Sequence, residues 1–247
     1  MRNFKIVLQY DGTRYQGWQR QVSTDNTIQG KIEALLSKMC DAPVEIQGAG
    51  RTDAGVHAYG QVANFHIDTD KTSQEIMDYM NTYLPEDISV IQCEEKSERF
   101  HARLNAKGKI YRYCIWNSDR KPVFRRKYVH QVPGKLDMDA MKKAASLLLG
   151  THDYQSFTST KRGKKSTVRT VDFIDMERVG EEIVFTFKGN GFLYHMVRII
   201  MGTLIETGLG IRKPEDISGV LEAKDRSKAG HLVPGNGLTL VEVFYDN

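Results

Sequence analysis

Two alternating periodicities constrain this chain more than any other feature of it. Residues 3–11 are rich in aromatic and β-branched residues, Phe4, Ile6, Val7 and Tyr10, and are followed by Gly12, the pattern of a strand closing on a turn. Over 27–40 the apolar residues move to Ile28, Ile32, Leu35, Leu36 and Met39, the spacing of one face of a helix. Strand patterns return at 44–47 and 59–67. Thr72 and Glu75 then frame a capping box for a helix carrying Ile76, Met77, Met80 and Leu84, stopped by Pro85, and 88–93 reads as another strand. The predicted order is β-α-β-β-α-β, the split arrangement of ferredoxin-like folds.

The second half repeats this order in outline. Residues 108–117 alternate, with Tyr111, Tyr113 and Ile115 on one face and Ile110, Arg112, Cys114 and Trp116 on the other. A helix is predicted at 137–149, closed by Gly150, then strands at 168–178 and 182–189 joined by a turn at Gly180. A long apolar helix over 192–207, a second helix over 214–223 and a final strand over 238–245 complete the chain. The expectation is an α+β protein of two related ferredoxin-like or RRM-like lobes, 1–105 and 106–247, with mostly antiparallel sheets and a ligand cleft between them.

At 247 residues the chain can bury a core without staples. Cys40, Cys93 and Cys114 are odd in number, widely spaced and set among apolar residues, which fits reduced, buried thiols rather than a disulfide framework or a zinc site. No apolar run approaches a membrane span, so a soluble, unprocessed, cytoplasmic protein is expected. The net charge is only +4, but it is unevenly spread. Residues 99–135 hold eleven Lys or Arg against one acid, Asp119, a net of +10, and 161–169 hold five bases and no acid; the remainder therefore nets −11. The first segment interleaves its bases with Phe100, His101, Tyr111, Tyr113, Trp116, Phe124 and Tyr128. Bases among stacking surfaces favour a nucleic acid over a merely solvated face.

The chemistry concentrates in Gly48-Ala49-Gly50-Arg51-Thr52-Asp53-Ala54-Gly55-Val56-His57-Ala58, a glycine-rich loop between predicted strands that carries a cation, a carboxylate and an imidazole. It begins as Gly-x-Gly but lacks the third glycine and a following helix, so it is no dinucleotide fingerprint. A phosphate loop, a nucleophile elbow and a metal-spaced ligand cluster are all missing from the sequence. His195, inside the predicted 192–207 helix, reads as a core histidine. The preceding loop, 13–24, is expected to expose Arg14, Tyr15, Trp18 and Arg20, with a lid over the core as the other reading of Trp18. What remains is a carboxylate with arginines, tyrosines and a nucleic-acid surface. A reaction without a metal or redox cofactor suits that inventory.

Gly50-Arg51-Thr52-Asp53-Ala54-Gly55-Val56-His57, followed by Lys109-Ile110-Tyr111-Arg112-Tyr113 and Gly191-Phe192-Leu193-Tyr194-His195-Met196-Val197-Arg198, closely resembles the tRNA pseudouridine synthase A family. The resemblance runs from Tyr10-Asp11-Gly12 through Gly17-Trp18-Gln19 to Gly237-Leu238. It implies a cofactor-free, homodimeric isomerase that converts uridine to pseudouridine at positions 38, 39 and 40 in the anticodon stem-loop of tRNA. It further implies that Asp53 is the nucleophile and Tyr111 the tyrosine at the substrate base. Arg198 would be the buried partner of the aspartate, Arg51 the residue that enters the stack as the uridine leaves, and Leu238 the apolar residue packing on the bound base. Two other readings of the residues stay open: a non-catalytic RNA-binding protein of the same fold, and a pseudouridine synthase acting on another RNA.

Overall fold

The computed structural model describes every residue except Arg162, Lys164, Lys165 and Asn247. Those three bases are most of the second basic segment, which therefore lies largely outside the described residues. In chain order the elements are β1 (Arg2–Tyr10), α1 (Ile28–Cys40), β2 (Ile46–Gly48), β3 (His57–Ile67), α2 (Ser73–Tyr83), β4 (Ile88–Lys96), β5 (Ala106–Trp116), β6 (His130–Gln131), α3 (Met138–Ser146), β7 (Gly150–Asp153), β8 (Val168–Val179), β9 (Glu182–Gly189), α4 (Met196–Gly208), α5 (Asp216–Ala223) and β10 (Leu238–Tyr245). The expected β-α-β-β-α-β order is present through β4. The second half departs from it, with three strands, β7 to β9, between α3 and α4, and two helices before the final strand.

The chain forms two compact units, Met1–Lys107 with Thr239–Asn247, and Gly108–Leu238. Chain order alone suggested a division into 1–105 and 106–247; the difference lies mainly in β10, whose Thr239 and Leu240 pair in parallel with His57 and Ala58 of β3. All other pairings within the first unit are antiparallel: β1 with β3, β1 with β4, and β2 with β3. Alternate residues of β1, Phe4, Ile6, Leu8 and Tyr10, are buried, as are Ile28, Ile32 and Leu36 along α1 and Ile76 and Met80 on α2. Thr27 caps α1, and Thr72 with Glu75 forms the full capping box on α2, as the spacing required. Polar residues pin the chain after β4. Asn64 accepts from the Ala102 N–H at 2.8 Å and donates to Asn3, while Asn3 donates to the carbonyls of Ser97 and Phe100 at 2.9 Å.

In the second unit β5 pairs with β9, β9 with β8 and β8 with β7, all antiparallel, and β6 adds in parallel to β5. Its core is built from Tyr113 and Ile115 on β5, Ile183, Phe185 and Phe187 on β9, and the almost wholly buried α4. Gly180 turns the β8–β9 hairpin at φ 60° and Gly150 closes the α3 segment at φ 95°, both conformations that favour glycine. The α4 helix begins at Met196, four residues later than the apolar pattern suggested. The pattern misleads because Phe192 spends its apolar surface on Tyr111, with ring centroids 5.3 Å apart, rather than on a helix face. All three cysteines are free and half-buried rather than fully buried. Among the described residues no helix is long and apolar enough to cross a membrane.

Candidate active site

The loop bearing Asp53 runs from the end of β2 to the start of β3 and is held mainly by main chain. The Trp18 N–H donates to the Thr52 carbonyl at 2.9 Å, the Gly55 N–H to the Tyr15 carbonyl at 3.3 Å, and the Val56 N–H to the Asp53 carbonyl at 3.2 Å. Residues 12–18 lie so close against this loop that side chains are excluded where they touch. A Cβ on Gly12 would stand 2.0 Å from the Val56 oxygen, and one on Gly17, at φ 91°, would stand 2.7 Å from the Thr52 oxygen. Gly48 gives room to the Trp18 ring, which a Cβ there would meet at 2.6 Å. Two strands reach the loop with polar side chains: the Tyr10 and Thr52 hydroxyls are 2.8 Å apart, and Gln61 donates to the Gly50 carbonyl at 3.0 Å. Gly12 also donates its N–H to His57 Nδ1 at 3.0 Å. Asp11 Oδ1 lies 3.1 Å from the same nitrogen. A backbone N–H can only donate, so we take Nδ1 as an acceptor there, and Asp11 Oδ1 accepts from the Thr13 N–H instead.

Arg51 is exposed and Asp53 half-buried on this loop. Tyr15 and Trp18, expected at the surface, are 4% and 2% exposed. Trp18 is thus part of the core that backs the Asp53 loop, the second of its two sequence readings, and Tyr15 donates its hydroxyl to Asp87. Arg14 and Arg20 are exposed as expected.

In the second unit the family-motif residues collect around the start of α4. Tyr111 is 8% exposed, with Phe192 edge-on to its ring at 87°. Arg198 lies in the first turn of α4, where a cation opposes the helix dipole, and its Nε–H is held by the Val233 carbonyl at 2.8 Å. The next carbonyl, Pro234, accepts from the Tyr113 hydroxyl at 2.9 Å. Burial drives the Tyr113 hydroxyl well above the usual tyrosine range, against the pull of the Arg198 charge, so it remains a neutral donor. Leu238, 6% exposed, follows a 3₁₀ turn over Gly235–Gly237, and a Cβ on Gly237 would meet the Tyr113 ring at 2.8 Å.

His195 is not inside the helix. It is the residue before it, left-handed at φ 66°, with Nδ1 2.8 Å from the Ser159 hydroxyl and its ring stacked on Tyr194 at 3.7 Å. A non-glycine there costs about 1 kcal/mol or more, a strain that tends to gather at functional sites. The Tyr194 carbonyl accepts from the Thr158 hydroxyl at 2.9 Å, which helps hold the turn.

The family model described as tRNA pseudouridine synthase matches residues 6–105 and 144–246. The chain belongs to the tRNA pseudouridine synthase family. Curated relatives match over nearly the whole length of both chains. A tRNA pseudouridine synthase A from Bacillus sp. (strain KSM-64) is 50% identical over 99% of this chain and 100% of that protein. One from Acetivibrio thermocellus is 43% identical, and a tRNA pseudouridine synthase A 1 from Clostridium tetani is 47% identical, over the same shares. Among solved structures, the crystal structure of a Cbf5-Nop10-Gar1 complex aligns over 98% of this chain and 50% of that one at 11% identity and a TM-score of 0.38, a likeness too slight to carry an argument.

For a tRNA pseudouridine synthase the informative additions are residues to which the sequence assigned no role: Tyr10, Gln61 and Thr52 behind the loop, and Val233 and Pro234 beside Arg198. Gln61 left only a weak signal, one of several polar residues, with Asn64 and His66, that interrupt the apolar run of β3. Val233 and Pro234 act through their carbonyls and could leave none. Thiol chemistry is disfavoured, since burial pushes Cys93 up to about 11 and Cys114 also upward, away from thiolate. Among the described residues no group of His, Cys, Asp and Glu could hold a metal ion.

Proposed function

We propose that this member of the family isomerises uridine to pseudouridine at positions 38, 39 and 40 in the anticodon stem-loop of tRNA, as a cytoplasmic homodimer. Asp53 is the nucleophile, Tyr111 lines the substrate base, Arg198 keeps the aspartate charged, Arg51 fills the stack vacated by the flipped uridine, and Leu238 packs on the base. The observation that carries the reading is the mounting of Asp53: a half-buried carboxylate on a loop whose flanking main chain is fixed by bonds from Trp18 and to Tyr15. A nucleophile must be held to within fractions of an ångström to contribute fully to the rate.

The reaction is balanced without a co-substrate. The N1–C1′ bond breaks, the base turns, C5–C1′ forms, the proton on C5 leaves and N1 gains one. A carboxylate that can bond transiently to substrate and a polar pocket that grips the detached base are the parts required. Flipping the target uridine costs a few kcal/mol, which contacts such as Arg51 offset. The basic residues of 99–135 supply sequence-independent phosphate contacts.

The test is to incubate the purified protein with tRNA labelled with tritium at uridine C5 and to map the product. Tritium release with pseudouridine at positions 38 to 40 is expected. Binding without release would favour the non-catalytic reading, and modification only of another RNA would favour the other synthase reading.

A further inference from the structure

The segment between β5 and β6 forms a fixed basic strap with an apolar tip. The Arg120 carbonyl accepts from Trp116 Nε1 at 2.8 Å and from Gln131 at 3.3 Å, and Asn236 donates to the carbonyls of Arg126 and Val129. Tight turns run between these anchors, with the Arg125 N–H on the Pro122 carbonyl at 3.0 Å and the Tyr128 N–H on the Arg125 carbonyl at 2.8 Å. Pro122 is buried beneath. Phe124 is nevertheless 94% exposed and Val123 59% exposed at the tip. Its conformation set, the strap holds a bare aromatic ring in water.

The charge around the tip selects its partner. Residues 117–128 carry five bases and one acid, Asp119. Arg120 pairs with Glu181 at 2.7 Å and Arg125 with Glu182 at 2.6 Å, and Lys121, Arg126 and Lys127 in the same segment are exposed as well. A two-fold contact of this surface with a second copy would set like charges against each other. A polyanion with accessible flat faces suits both features, because cations take the phosphates and an aromatic ring takes a base.

We infer that this strap is an RNA-contacting surface in which Phe124 stacks on an unpaired base of the substrate while Lys121 and its basic neighbours hold the adjoining phosphates. The inference rests on the proposed tRNA activity. Asn236, in the turn that precedes Leu238, holds the strap through the Arg126 and Val129 carbonyls, so the strap is anchored beside a residue of the proposed site.

The experiment compares the parent protein with Phe124→Ala and Lys121→Ala, using an unmodified tRNA transcript with a target uridine. Affinity is measured over a range of salt, tritium release over a range of tRNA concentration, and molar mass by light scattering. Phe124→Ala is expected to weaken binding and raise KM about tenfold, within the range for loss of one base–aromatic stack, with kcat and the salt slope retained. Lys121→Ala is expected to lower the salt slope by about 1. Affinity and KM at the parent level in Phe124→Ala would overturn the inference while a working parent left the functional reading intact. A fall in molar mass accompanying the weakened binding would overturn it in favour of self-association. A parent that neither binds nor modifies tRNA would overturn both.

Discussion

The two units hold their family-motif residues by different means. Around Asp53 the grip is mainly main chain on main chain, with Tyr10 and Gln61 adding side-chain bonds, and its tolerance is set by glycines: nothing larger than hydrogen fits at Gly12 or Gly17. Around Arg198 the last links are side chains: Arg198 to the Val233 carbonyl, Tyr113 to the Pro234 carbonyl, and His195 to Ser159. Glycines recur there one step back, where Gly202 and Gly230 let the 229–233 segment lie against α4. That segment is held further by Glu206, which accepts from the His231 N–H at 3.1 Å and pairs with Arg212 at 3.2 Å. The contrast teaches that a loop locked chiefly by backbone is intolerant of added side chains, whereas a turn locked by side chains can be loosened by conservative replacement or, at Glu206, by titration.

Substitutions can break that contrast. The largest stability loss is expected for Trp18→Ala, about 4 kcal/mol, because it empties the space behind the Asp53 loop. Chemical denaturation should show it, and a loss under about 1 kcal/mol would mean the ring is not the loop's support. Gly12→Ala is expected to cost about 3 kcal/mol, since the added carbon collides with a backbone oxygen that cannot rotate away. A variant as stable as the parent would show that the two segments can part.

Tyr10→Phe probes the same loop more gently, by deleting the hydroxyl beside Thr52. About 1 kcal/mol of stability should go, with kcat falling more than KM rises, as the scaffold folds but the loop is looser. An unchanged kcat would remove Tyr10 from the positioning role. Glu206→Gln addresses the other unit, with the smallest effect, about 0.5 kcal/mol at pH 7. Burial opposes the Glu206 charge, but the bonds from His231 and Arg212 outweigh it and hold its carboxyl below the ordinary value. A depressed carboxylate contributes stability that is present above its unfolded value, about 4.3, and lost as pH falls through the folded value. The gap between parent and variant should therefore be full near neutrality, begin to narrow only near about pH 4.3 and close as the pH falls through the lower folded value. A constant gap would show that the ion is not the source.

Much of this was legible in the residues. The capping box at Thr72 and Glu75, the α1 stripe and the alternation in β5 follow from local periodicity, and the structure has them. The Asp53 loop stood out only in company: glycine and aspartate are common in plain turns, and the tyrosine strand, the arginine on the apolar helix and the basic segments are what gave the stretch a chemical reading. Three features were not legible. Tyr15 sits in a polar loop and only its tertiary packing, with the hydroxyl on Asp87, buries it, whereas Trp18 over Gly48 takes the lid position that was one of its two sequence readings. The start of α4 was misplaced because an apolar residue scores alike whether it faces a helix core or packs on a sheet ring, as Phe192 does. The parallel pairing of β10 with β3 joins residues far apart in the chain, and local pattern carries no information about such a partner.

The central claim is that the Asp53 carboxylate performs the chemistry while its loop is kept in place by other residues. Replacement of Asp53 by Asn, assayed for tritium release from C5-labelled tRNA beside tRNA affinity and melting temperature, tests it most directly. The account predicts that release falls on the order of a thousandfold or more, the scale expected when a nucleophile is removed, with affinity and melting temperature near those of the parent. Release at the parent rate, or a loss explained wholly by unfolding or lost binding, would contradict it.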